Sequence, residues 1–218
     1  MQSFKCDVVD STNEEAKRLL AGGRVHGDAY VLAREQTSGK GTHGRTWISP
    51  RDAGLYLTVL SAAQRDIGPE ATFYTLAAGV ACAEALESAT GLDVHLKPVN
   101  DIMVAGRKLG GILTETIIEE GRMTTLVIGV GVNVRKARRP LPGGAIGVTC
   151  LEELMSPHAF ARLALDDLVS AIVSRVISQV AAVDGGDLEG VRRAWQGRAQ
   201  PGSQPPWSNA LSPRRSAS

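Results

Sequence analysis

The densest chemical content lies in Gln36-Thr-Ser-Gly39-Lys40-Gly41-Thr42-His43-Gly44-Arg45-Thr46-Trp47. Glycines at 39, 41 and 44 let the backbone approach a ligand closely. Lys40 and Arg45 supply charge for a phosphate or carboxylate. The spacing also fits a P-loop with arginine in place of lysine, but a P-loop opens directly into a helix. Here Trp47-Ile48-Ser49-Pro50 and Ala53-Gly54 lead instead into a strand. Fixing seven residues of such a loop costs on the order of 7–14 kcal/mol of backbone entropy. Few apolar side chains offset that, so the segment is expected to be a mobile lid that an anionic ligand orders. The plainer alternative is a basic surface loop.

Three other stretches could carry chemistry. Lys97-Pro98-Val99-Asn100-Asp101 runs toward a turn, then Arg107-Lys108-Leu109-Gly110-Gly111-Ile112-Leu113. A lysine heading a Gly-Gly strand has its ammonium held by regular backbone, though a lone hairpin lysine is more often simply solvated. Gly129 and Gly131, in Val127-Ile-Gly-Val-Gly-Val-Asn133-Val, mark a bulge or backbone left bare for a ligand. Ser11-Thr12-Asn13 offers short hydroxyl and amide groups. Ser11-x-x-Glu14 and Thr12-x-x-Glu15 also read as overlapping capping boxes. Trp47 suits a pocket wall and a core position equally.

These residues need elements to hold them. Residues 4–9 read as a strand, and a helix follows from Ser11 with Ala16, Leu19 and Leu20 at helical spacing. A strand from 28 to 35 precedes the loop, and Leu55–Leu60 is apolar enough for a central strand. Pro69 fits the first turn of a helix through Phe73, Leu76, Ala77 and Val80. Strands at 94–97, 100–105, 107–119 and 123–134, turned at Ala105-Gly106 and Glu120-Gly121, suggest an antiparallel meander. Ser156-Pro157 caps one long helix whose apolar stripe runs Phe160, Ala164, Leu168, Ile172, Val176, Val180 and Val183. A shorter helix follows through Leu188, Val191 and Trp195. Without regular βαβ alternation the class is α+β, with a mixed, mostly antiparallel β-sheet and helices packed on it.

The 218 residues carry 24 Lys+Arg against 23 Asp+Glu, a net charge of +1, so no global field steers the chain toward DNA or a membrane. Cys6, Cys82 and Cys150, with four scattered histidines, form no metal-ligand or disulfide pattern, so no metal site is expected within the protein. With no signal peptide or membrane span legible, a cytoplasmic protein is expected. After residue 198 Pro, Ser and Gly dominate, so residues 1–198 are read as the domain and 199–218 as a disordered tail.

Taken in order, Ser11-Thr12-Asn13, the Gln36–Arg45 loop with Trp47, Gly54-Leu-Tyr-Leu, Asn100-Asp101, Arg107–Leu113 and Gly129-Val-Gly-Val-Asn133 resemble the catalytic domain of biotin protein ligases, within the biotin/lipoate ligase superfamily. The resemblance covers roughly residues 4–197 and implies a class II synthetase-like fold. It also implies two-step acyl transfer: biotin and ATP give biotinyl-5'-adenylate, and a lysine of a biotin carboxyl carrier protein takes the biotinyl group. Two anions must meet, so cations and Mg²⁺ offset their repulsion. By resemblance Lys108 is the central catalytic lysine, contacting the reacting carboxylate and α-phosphate. Lys40, with the amides of Gly39 and Gly41, closes over the adenylate, and Arg45 grips phosphate or buttresses the loop. Ser11, Thr12, Asn13 and Gln36 surround biotin with Trp47, Gly111, Gly129 and Gly131. Asn133 meets the adenine side, and Asn100 and Asp101 serve the nucleotide or its metal.

The chain departs from the family pattern in three places. The loop has Thr42 where the family carries its second arginine, and Lys97-Pro98-Val99 lacks the family's tryptophan. A Pro/Ser-rich segment stands where relatives continue into an SH3-like domain, and no N-terminal DNA-binding domain or repressor role is expected. A homodimer through an edge strand is an open possibility. The rival readings are a lipoate or octanoate ligase on the same fold and a catalytically weak biotin sensor. Losing one charge-assisted contact to an anion costs roughly 1.5–3 kcal/mol, or about 10- to 150-fold. Thr42→Arg is therefore expected to speed adenylation or slow adenylate release, measured by pyrophosphate exchange and product release; no change in either would refute the role given to position 42.

Overall fold

Strand β3 (Gly54–Asp66) is the axis of the sheet in the computed structural model, which describes residues 1–66, 71–136 and 147–204. Its side chains alternate, as a strand buried on both faces requires. Leu55, Leu57 and Val59 join the larger core, while Leu60 packs into a second cluster on the opposite face. On one side lies β2 (Ala29–Gln36), which pairs in parallel with β1 (Gln2–Val9). On the other lies β7 (Arg122–Asn133), then β6 (Arg107–Glu119), β5 (Asp101–Val104) and β4 (Val94–Lys97). The order is β1-β2-β3-β7-β6-β5-β4, and every pair except β1–β2 is antiparallel. The expected α+β class and the four-strand meander are both present. Ala105-Gly106 and Glu120-Gly121 make its tight turns with positive φ at both residues of each pair, which suits the twist of a hairpin.

One helix, α1 (Thr12–Ala21), covers the sheet's first face through Ala16 and Leu19. The opposite face carries α2 (Ala71–Thr90), α5 (Leu165–Asp184) and α6 (Leu188–Gln196), whose apolar sides form the main core around Leu76, Val80, Leu86, Ile172, Val176 and Trp195. Two short helices, α3 (Leu151–Leu154) and α4 (Pro157–Ala161), lead into α5. Pro69 lies outside the described residues, as do positions 205–218 of the expected tail.

Two local expectations are overturned. The helix from Ser156 is not continuous: it breaks after Ala161 and restarts at Leu165, with Ala164 in extended backbone at ψ 99°. Asp166 and Asp167 then fall in the first turn of α5, where carboxylates favour a helix start. The break lets Phe160 and Leu163 both reach the core. At α1, neither capping box forms. Ser11 occupies the N-cap without a side-chain cap, and the backbone N–H of Thr12 is accepted from across the fold by Gln36 Oε1 at 2.8 Å. Glu14 turns to Lys17 and Lys40, and Glu15 to Arg18. Stronger charged partners have taken the carboxylates that a capping box would use.

The chain also returns to the sheet beyond residue 198. Leu96 N–H donates to Arg198 O at 2.7 Å and Gln200 N–H to Leu96 O at 2.9 Å, so residues 198–200 lie along the outer edge of β4.

Burial within α2 pushes the Cys82 thiol up to about 12, and burial also raises Cys150 and the half-buried Cys6. At pH 8 almost no Cys82 thiolate exists to react. A thiol-specific reagent is expected to label Cys6 slowly in the native protein and all three cysteines in denaturant. Rapid native labelling of Cys82 would contradict the packing of α2.

Candidate active site

On the α1 face, two neighbouring strands leave their side chains out. Gly129 and Gly131 of β7 share the face of Val127, which packs beneath α1, and Gly111 pairs with Gly131 from β6. The reason for glycine is steric. A Cβ at Gly129 would stand 2.6 Å from Asn13 Oδ1, and one at Gly131 2.6 Å from the Trp47 ring. Bare backbone thus floors a cavity of about 230 Å³ under the N-terminus of α1 and the glycine-rich loop.

The α1 side of the cavity is a connected polar chain. Gln36 Oε1 accepts from Thr12 N–H and lies 3.1 Å from Thr12 Oγ1, which is 2.8 Å from Thr58 Oγ1; that hydroxyl lies 2.6 Å from Asn13 Oδ1. Asn13 Nδ2 donates to Glu115 at 2.7 Å, and Gln36 Nε2 to Ser49 Oγ at 2.7 Å, so both amides have a fixed orientation. Ser11, Thr12, Asn13, Thr58 and Ser49 are buried. Ser11 lines the cavity, and its hydroxyl makes no hydrogen bond among the described residues.

Opposite stands Lys108. Its backbone is held on both sides: β5 pairs with it at Met103, while Gly147–Thr149 pairs along its other edge through 2.6 and 2.9 Å hydrogen bonds. The ammonium contacts Asp101 Oδ1 at 2.5 Å and sits 5.4 Å from the centroid of the Trp47 ring. A paired carboxylate and an aromatic face both stabilise a partly desolvated cation. Trp47 therefore walls the cavity, and its buried Nε1–H has no hydrogen-bond partner among the described residues.

The loop is folded on itself. Gly41 N–H donates to Arg45 O at 2.7 Å, Trp47 N–H to Gly39 O at 2.9 Å, and a short 3₁₀ turn spans Thr42–Gly44. Arg45 donates to Thr42 O and Oγ1, which is the buttressing role of the two offered for it. Lys40 reaches Glu14 at 2.6 Å.

Most of the expected residues come together, and three do not line the cavity. Gly39 lets the loop turn against Ser49 and Gln36, where a Cβ would crowd both side chains. Asp101 acts through Lys108. Asn133 donates to Thr149 O at 3.0 Å and so steadies the segment beside Lys108. Asn100 lines the cavity but donates its amide to Ile112 O at 2.8 Å. Sequence reasoning missed Thr58, Ser49, Glu14, Lys17 and Glu115. Thr58 had a signal, the one non-aromatic polar side chain inside the run Leu55–Leu60; the others are set by tertiary contacts.

A seven-stranded, mostly antiparallel sheet with a glycine-floored cavity under one helix is an α+β architecture built around one small-ligand site. Residues 6–133 match the model of the biotin/lipoate A/B protein ligase family, and the chain belongs to that family. It is 32% identical over 195 residues to a biotin–[acetyl-CoA-carboxylase] ligase of Paracoccus denitrificans, covering 87% of this chain and 78% of that one. It is 35% identical over 137 residues to the bifunctional ligase/repressor BirA of Bacillus spizizenii, covering 62% of this chain. The chain spans 41% of the length of that relative. The fold is shared with the Aquifex aeolicus biotin protein ligase solved with biotin and ATP, at TM-score 0.71 and 22% identity over 91% of this chain and 78% of that one.

Gly129→Ala is expected to push Asn13 off Thr58 and Glu115, at a cost of about 1–3 kcal/mol for the buried amide left unpaired. Urea unfolding checks this, and Asn13→Ala in the same chain should remove most of the added cost.

Proposed function

We propose that the chain is a biotin–protein ligase. It joins biotin to ATP as biotinyl-5'-adenylate, then passes the biotinyl group to a lysine of a biotin carboxyl carrier domain. The observation that carries this reading is a neutral polar chain facing a fixed ammonium across one small cavity.

The polar chain suits a ureido ring. Three O···O contacts join Gln36 Oε1, Thr12 Oγ1, Thr58 Oγ1 and Asn13 Oδ1. The outer two oxygens only accept, and the two hydroxyls between them hold two protons. One contact therefore lacks a proton, which leaves an oxygen lone pair in the chain free to accept from a ligand N–H. Ser11's unengaged hydroxyl is a donor for the ring's carbonyl. A flexible aliphatic acid such as lipoate offers neither group at that end, which favours biotin over the rival ligase.

In the first step a carboxylate oxygen of biotin attacks the α-phosphorus of ATP and pyrophosphate leaves. Lys108 offsets the charge of the two anions and the charge that grows at phosphorus. Trp47 and the rigid strand hold its ammonium in place, so little reorganisation is needed as the reaction proceeds. In the second step the carrier lysine's amine attacks the acyl carbon, AMP departs with the bonding pair, and the amine loses a proton.

Among the described residues no three His, Cys, Asp or Glu side chains gather as a metal site. Mg²⁺ commonly binds through one or two carboxylates plus substrate phosphates, so it fits here as the companion of ATP. No carboxylate lines the cavity among the described residues, so the ion would be held chiefly by the substrate phosphates, where it would add charge neutralisation. At about 230 Å³ the cavity is below the roughly 300–1,000 Å³ of ordinary ligand sites. It holds one small ring system, and the loop must lift to admit the nucleotide. No described helix is long and apolar enough to cross a membrane.

Biotin-dependent exchange of labelled pyrophosphate into ATP tests the first step. Lys108→Gln is expected to lower it by about 10²–10³-fold with the thermal midpoint little changed. Undiminished exchange in that variant, or exchange with lipoate in place of biotin, would overturn the assignment.

A further inference from the structure

The loop lysine is engaged by Glu14, which the sequence offered only as a helix-capping residue. Lys40 Nζ lies 2.6 Å from Glu14 Oε1, on the first turn of α1. The same carboxylate oxygen takes Lys17 at 3.0 Å, Lys17 reaches Glu115 at 2.7 Å, and Glu115 fixes Asn13. An alternating chain of charges thus runs from the rim of the cavity to the loop. Within the loop, the cross-bonds Gly41–Arg45 and Trp47–Gly39 maintain its fold, but only Lys40 and Arg45 carry positive charge dependably, and Arg45 is turned back on Thr42.

We infer that Glu14 is a positioning residue, a latch that holds Lys40 and the loop down over the cavity until a phosphate displaces it from the ammonium. Both lysines hold the Glu14 carboxyl below the usual carboxylate range, with Lys40 the larger cause, so it is ionised at neutral pH. The pair is not deeply buried; Lys40 is 48% exposed and Glu14 30%. Such a bond is worth little in water. That weakness suits a latch, because a triphosphate with several negative charges outcompetes one carboxylate for the ammonium. The latch also acts against the nucleotide, since an arriving phosphate meets Glu14's charge before it gains Lys40. Removing Glu14 should therefore loosen the empty loop and tighten ATP, two effects of opposite sign. A general packing defect would weaken both.

The first arm of the test uses the ligand-free chain, so it does not depend on the ligase reading. Amide exchange of Gly41 and Trp47 is followed by NMR at low salt. Glu14→Gln should speed it about two- to fivefold, Lys40→Gln should do the same, and the double variant should add nothing further. Lys17→Gln keeps the Lys40 bond and should leave exchange unchanged. Molar salt should loosen the parent chain but not Glu14→Gln. Equal exchange in parent and Glu14→Gln would overturn the latch.

The second arm rests on the proposed function. With biotin present, Glu14→Gln should bind ATP about two- to fivefold more tightly, while biotin alone dissociates faster. Weaker ATP binding in that variant would count against the latch. A parent chain that binds neither biotin nor ATP would reject the ligase reading instead, leaving the latch to be judged by exchange alone.

Discussion

The site depends on a single constraint: polar groups removed from water must find partners. At the head of α1, Ser11, Thr12 and Asn13 are taken nearly out of solvent, and the backbone amide of Thr12 comes with them. A buried amide without an acceptor costs on the order of 1–3 kcal/mol. Gln36 meets that demand from the end of β2, Thr58 from β3 and Glu115 from β6. Three strands and a helix are thereby tied to one line of hydrogen bonds. Whatever moves that line moves the cavity wall, so the fold and the site are specified by the same bonds.

The opposite wall follows a different logic. There a cation is held rather than a neutral group, and the protein fixes it from the backbone outward. Lys108 is clamped between β5 and Gly147–Thr149, Asn133 secures the latter, and Asp101 and Trp47 receive the ammonium. Long side chains lose much rotamer freedom when confined. Anchoring both the strand and the head group leaves little of that loss to occur on ligand binding. The loop is the contrasting part, its one ion pair to α1 among the described residues half-exposed and able to exchange partners.

How much of this was legible in the residue order can be judged element by element. The strands of the meander stand out because β-branched runs are bounded by Ala-Gly and Glu-Gly turns. The floor glycines were visible as anomalies inside strands, and the lysine ahead of Gly110-Gly111 was visible as a cation on regular backbone. What could not be read were pairings between residues far apart in the chain. The N-terminus of α1 looked self-capping, yet its acceptor lies 24 positions on, at Gln36. Asp101 and Asn133 looked like ligand contacts, yet each acts on a neighbour. In both cases local chemistry named the right group and tertiary geometry chose its partner. The break at Ala164 has the same origin: periodicity continues across it, and only the need to bring Phe160 and Leu163 onto the core interrupts the helix.

Trp47 brings these parts together, with its ring against the strand floor on one side and an ammonium over it on the other. Its indole N–H is buried and has no acceptor among the described residues. Indole emission responds to nearby charge and to hydrogen bonding at that nitrogen. The molecule therefore carries a built-in optical gauge, whose signal would change when an acceptor arrives or the cation shifts, with no dye attached.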